Sequence, residues 1–128
     1  MTTLLTRDEF LAPSKRRHRN VSLPVRGGDV RIQSLFEHEK EAYEATLLNS
    51  EGEMSLKGLR GARRRLICLC LVDADGERLL SDADVNTLKH LDGADIAALQ
   101  DACQEWVGFK SGDIESLVKN SEAVTADS

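Results

Sequence analysis

The sequence predicts a small, mainly α domain with an N-terminal β-hairpin. Leu and Ala are abundant while aromatics make up only 4% of the chain, a balance that favours helix over sheet. One stretch alternates apolar and polar residues around a Gly-Gly pair, as a hairpin does. Downstream, apolar residues recur at spacings of three and four, the helical period. At 128 residues the chain is long enough for one hydrophobic core without disulfides or metal.

Residues 1–20 are polar and basic and read as a flexible arm. Within it TRDEFLA predicts one or two helical turns, with Thr6 and Glu9 spaced as a capping box. The basic cluster at 15–19 contains no apolar residue to anchor it. Residues 21–110 read as the folded domain. In it 21–33 form the hairpin: Val21, Leu23 and Val25 on one strand, Val30 and Ile32 on the other, Gly27-Gly28 in the turn. Pro24 cannot donate to a ladder, which makes the first strand an edge strand. Ser34 and Glu37 are spaced to cap an amphipathic helix bearing Phe36, Tyr43 and Leu47, which 49–52 end. A second helix carries Leu56, Leu59, Leu66, Ile67, Cys70 and Leu71 and becomes apolar on all sides over 66–72. A buried strand competes for that run, and the phase set by Leu56 and Leu59 favours helix. A turn at Asp75-Gly76, a short extended piece at 78–80 and a cap at Ser81 or Asp82 follow. A short helix with Val85, Leu88 and Leu91 is closed by Gly93. A long helix over 94–109 then presents Ile96, Leu99, Cys103, Trp106 and Val107, with Gly108 as terminator. Residues 111–128 read as a polar tail, partly disordered after a helical piece at 114–118.

LICLCLVDADGERLLSDADV, residues 66–85, offers both a thiol pair and an acidic turn. An EF-hand loop needs Gly at its sixth position and a bidentate Glu at its twelfth. Counting from Asp73, Gly76 falls fourth and Asp84 twelfth, so Asp and Gly here are turn and cap chemistry. On a helix Cys68 and Cys70 lie about 200° apart and cannot grip one ion. Cys103 is the one other thiol, and His18, His38 and His90 are scattered singly. All three cysteines are read as core residues, reduced in a cytosol. No nucleophile elbow, phosphate loop or dinucleotide fingerprint is present. No enzyme, metal site or cofactor is expected.

The net charge of −5 disfavours a nucleic-acid partner. Two helices joined across Gly93 have helix-turn-helix spacing, but the second offers Asp95, Gln100, Asp101, Gln104 and Glu105 to phosphates. The basic residues 15–19 keep a small DNA-binding protein as an alternative. A DNA binder would lose affinity steeply as salt rises. The apolar run 66–72 is too short to span a bilayer, and residues 1–13 lack the pattern of a signal peptide. The expectation is an intracellular protein with no membrane partner.

The order of these pieces resembles a known family. The hairpin "SLPVRGGDVRIQSL", the Glu-rich helix, the Arg-bearing helix running into "LVDADGERLLSDADV", and a closing Leu/Ala helix ending in Trp-Val-Gly are similar to the tail assembly chaperones of long-tailed, siphovirus-type bacteriophages. Residues 71–85 carry most of the likeness, with Leu80 where many relatives have Phe. The resemblance covers 21–109. It implies a non-enzymatic role in virion morphogenesis, binding the tape measure protein until tail tube protein polymerises around it. It places the protein in the cytoplasm of the bacterial host and outside the mature virion. It also implies self-association and, in many relatives, a longer frameshifted form of the chain; a DNA-binding or packaging-associated phage protein and a structural tail or connector subunit are the alternatives. The hairpin edge at Pro24 and the charged helix bearing Arg60, Arg63 and Arg64, together with Leu91 and Trp106, are the expected protein-contact residues. The alternative reading of the arginines is an ordinary solvated face.

Overall fold

The computed structural model describes residues 3–108. It is mainly helical, with a three-stranded antiparallel sheet in the order β1-β2-β3. The elements are α1 (Arg7–Leu11), β1 (His18–Ser22), β2 (Asp29–Gln33), α2 (Glu37–Ala45), α3 (Leu56–Leu59), α4 (Ala62–Cys70), β3 (Leu71–Val72) and α5 (Gly93–Val107). Two short 3-10 turns, Asp82–Asp84 and Thr87–His90, link β3 to α5. The tail expected over 111–128 and the end of the helix at Phe109 lie outside the described residues.

Burial of the apolar run 66–72 organises the fold. Leu66, Ile67, Cys68 and Cys70 are fully enclosed, and Leu71 and Val72 nearly so. Cys103, Leu99, Ala102 and Val107 of α5, Tyr43 of α2, Leu47 just beyond it, Leu59 of α3 and Ile32 of β2 join the same cluster. The expected single helix over this region is two. Gly61 is left-handed (φ 72°) and Arg60 before it is extended, so the chain breaks between α3 and α4. The helix ends at Cys70, and Leu71 and Val72 turn extended to pair with Ile32 and Arg31. The competing strand reading therefore holds for the last two residues of the run. The carbonyls left at the buried end of α4 are met from outside the helix. Gln33 Nε2 donates to Leu69 O (2.9 Å), and Arg78 Nε and Nη2 donate to Cys68 O (3.2 and 2.9 Å). Leu79 N donates to Leu71 O (3.0 Å).

The hairpin begins earlier than the alternation implied. β1 starts at His18, inside the stretch read as an arm, and pairs from His18 with Gln33 to Ser22 with Asp29. Pro24 therefore sits in the connecting turn and not in a strand. That turn closes through Leu23 N to Gly28 O (3.0 Å), with Gly27 and Gly28 both left-handed. β1 remains an edge strand.

Ser34 does not cap α2. It pairs with Arg17 instead, Arg17 N donating to Ser34 Oγ and Ser34 N to Arg17 O, each at 2.9 Å. The helix starts later, at Glu37, where Glu39 reaches back to accept from Phe36 N (2.9 Å). The helix expected around Val85, Leu88 and Leu91 is replaced by the two 3-10 turns, and Gly93 opens α5 behind an Asp92 cap. The Asp75-Gly76 turn, the Ser81 start and the Gly108 terminator of α5 stand where the sequence puts them.

Gly58 is a position where a small residue is required by packing. A Cβ there would lie 2.7 Å from the backbone oxygens of Leu47 and Thr46. Replacing Gly by Ala within a helix ordinarily stabilises by about 1 kcal/mol. Here the clash with immobile backbone reverses the sign. Urea unfolding of Gly58→Ala should show a loss of about 1–3 kcal/mol, the usual range for overpacking.

Candidate functional site

The basic cluster expected to lack an anchor is clasped to the body by charge and ring contacts. Arg16 makes a bidentate bond to Glu39 (2.7 and 2.8 Å), donates to Ser34 O (3.1 Å), and lies 4.3 Å above the Phe36 ring. Such a planar fork is stronger than a point-charge pair. Arg17 stacks 4.4 Å over the Trp106 ring and donates to Trp106 O (2.7 Å), and Trp106 Nε1 returns a bond to Arg17 O (3.1 Å). A cation thus meets a carbonyl in the last turn of α5, where helix geometry leaves acceptors free. Arg19 adds an ion pair with Glu105 (3.5 Å).

The other end of α5 is tied as well. Asp95, expected to face outward and repel phosphate, is 4% exposed and accepts from Val25 N (2.8 Å) and Arg26 N (3.0 Å). Gln100 and Gln104 are also buried. Of the polar side chains counted on the supposed recognition helix, these three are turned into the fold, and a base-reading face is lost.

The acidic turn is self-contained. Asp73 Oδ1 accepts from Asp75 N (2.8 Å) and Glu77 N (3.1 Å), the work of a turn residue. No group of three His, Cys, Asp or Glu among the described residues is placed to hold a metal. All three cysteines are free thiols in the core. Burial pushes the Cys68 thiol up to about 11. Cys70 is raised further by its hydrogen bond to Cys103 across α4 and α5, then by burial. Both are held away from the thiolate form that reacts.

The expected contact residues are spread over the surface. Pro24 is exposed in the β1–β2 turn, and Arg60 and Arg63 are exposed around the α3–α4 break. Arg64 is half-buried, and its Nε has no hydrogen-bond acceptor among the described residues. Leu91 and Trp106 are half-buried against the core cluster. Pro24's turn is bound to the start of α5 and Trp106 stands at its end. Trp106 lies eleven positions after Asp95, roughly 16 Å along the helix.

What does form a concavity was not picked out from the sequence. Ala42 and Tyr43 of α2, Leu69 of α4, and Val85 beyond the first 3-10 turn line an open groove of about 500 Å³. Its polar edge carries Glu39, Arg65 and Asp82. Tyr43 is buried, donates to Ala62 O (3.2 Å), and burial pushes its hydroxyl up to about 12. Arg65 is held by Thr46 Oγ1 (3.2 Å), Arg60 O (2.9 Å) and Gly58 O. No titratable pair in this groove has the nucleophile–base geometry of a catalytic centre, whereas apolar walls with a charged rim suit an apolar peptide face. Only the residue spacing on α2 and α4 hinted at it, since the third wall comes from a distant irregular segment.

The Arg16 fork, ahead of backbone hydrogen bonding, holds the Glu39 carboxyl below its ordinary value of 4.5. A depressed carboxylate contributes stability above its unfolded value and loses it as pH falls through the folded one. Acid unfolding should therefore show wild type losing stability below about pH 4.5, with the Glu39→Gln variant less stable at pH 7 and flatter in its acid response. Equal pH slopes for the two chains would remove the fork from the account.

No family model and no curated protein matches this sequence. Among solved structures, the tail assembly chaperone of bacteriophage HK97 is similar. The match has a TM-score of 0.55 at 15% identity and covers 80% of this chain and 92% of that one. At such identity the likeness is one of fold, and it is the fold that the sequence resemblance implied: this chain folds as the HK97 tail assembly chaperone does.

Proposed function

We propose that this protein is a non-enzymatic tail assembly chaperone of a long-tailed bacteriophage or prophage. The observation that carries the proposal is the shared fold, which spans nearly the whole of the HK97 chaperone. The residues agree with it. The two motifs that suggested chemistry, the thiol pair and the acidic turn, serve the core and a tight turn. The α2–α4 groove has the apolar floor and polar rim that an amphipathic helix needs.

In this reading the client is the tape measure protein, whose long helices are kept soluble until tail tube protein encloses them. The chaperone works in the host cytoplasm and leaves before the virion is complete. The mixed-charge stretch at Arg60, Arg63 and Arg64 is the proposed contact for self-association or for a longer form of the chain.

Co-expression of the tape measure protein with this chain should move the client from the pellet to the soluble fraction. Ala42→Arg puts a charge at an exposed wall of the groove without disturbing the core. It should weaken client binding by about tenfold or more, equivalent to at least ~1.4 kcal/mol. A wild-type chain that leaves the client insoluble, or that persists at fixed stoichiometry in mature particles, overturns the chaperone reading. An Ala42→Arg chain that binds as well as wild type overturns the groove assignment alone.

A further inference from the structure

The strongest unexplained feature outside the groove is the N-terminal segment. Leu4, Leu5, Phe10 and Leu11 are 86, 66, 74 and 56% exposed. α1 buries none of its residues. Single exposed apolar residues are ordinary, but a contiguous set marks a contact surface. The set is also pre-shaped. Thr6 and Glu9 close a complete capping box, with bonds of 3.0 and 3.2 Å. Leu5 and Phe10 then occupy the two positions of a hydrophobic staple, beside Leu11.

The root of this segment lies at the groove. Arg16 is locked to Glu39, and Glu39 is one of the groove's lining residues. Leu11 is five residues before Arg16, so it lies within about 17 Å of that anchor. The groove's α2 wall from Glu39 to Thr46 is about 10 Å long. The tether is thus longer than that wall. Arg7, one turn before them and paired with the neighbouring Asp8 in the open arrangement (3.6 Å), is opposite in charge to Asp82 on the rim, which Arg78 holds there (3.2 Å). The same groove on a second copy offers the same chemistry, but a tether of this length sets an effective concentration of order mM. Below that chain concentration the segment's own groove wins.

We infer that the N-terminal helix is the built-in occupant of the α2–α4 groove: Phe10 and Leu11 seat against Leu69 and Val85 of their own chain, hinged at Pro13 and anchored by Arg16. The open arrangement of the structure is the second state. The helix then acts as a displaceable cover, and an incoming apolar helix binds at an affinity reduced by the fraction of chains that are closed. This occupant does not depend on what the client is.

The test is NMR on the full chain alone. Phe10 ring protons should show cross-peaks to the Leu69 and Val85 methyls in dilute, uniformly labelled protein, unchanged on further dilution. The full chain carrying Phe10→Asp and Leu11→Asp should lose them, and its Leu69 and Val85 methyl signals should shift. The substituted positions are exposed, so the variant keeps its core. Two results overturn the inference: no cross-peaks in wild type, or cross-peaks seen between labelled and unlabelled copies that vanish on dilution, which would put the helix in a neighbour's groove.

Discussion

The structure depends on one constraint: residues 66–72 are apolar on every side, and all but the half-buried Leu69 must be enclosed. A helix hydrophobic all round belongs in the middle of a fold. Ending such a helix in the core is costly, because its last carbonyls lose water without gaining partners. Here the solution is to change structure inside the core. At Leu71 the backbone becomes extended, β2 supplies the next pairing, and Gln33 and Arg78 reach in to the carbonyls of Leu69 and Cys68. The short third strand, the buried Gln33 and the Val72–Arg78 bridge are consequences of that one switch.

The same constraint explains what the sequence made legible. Periodicity identified α5, α2 and the apolar run because burial there follows a repeating face. Turn chemistry identified Asp75-Gly76, Ser81 and Gly108 because each needs a particular residue locally. The strand start at His18 was hidden, since nothing in HRNVS alternates in hydrophobicity. Ser34 has the spacing of a helix cap, but its hydroxyl accepts from Arg17, far back along the chain. Gly61 looked like one glycine among several, and its left-handed conformation is what separates α3 from α4.

Arg16, Arg17 and Arg19 show why net charge said little about function. A basic run next to a proline looked like a hand for phosphate. In the fold each of these arginines is engaged by a carboxylate, an aromatic ring or a helix carbonyl. The groove was illegible for a different reason: its walls come from α2, α4 and an irregular segment, and no local pattern reports that they meet. Its apolar walls and charged rim leave that concavity open to an apolar peptide face.

Hydrogen exchange on the whole chain, alone and with the proposed client, tests the central division between a closed apolar frame and an open groove. Amides of residues 67–72 should exchange only through global unfolding in both samples. New protection on adding the client should fall on residues 42–46 and 82–86. Rapid exchange within 67–72 in the free chain, or client protection confined to β1 and the sheet face, would contradict it.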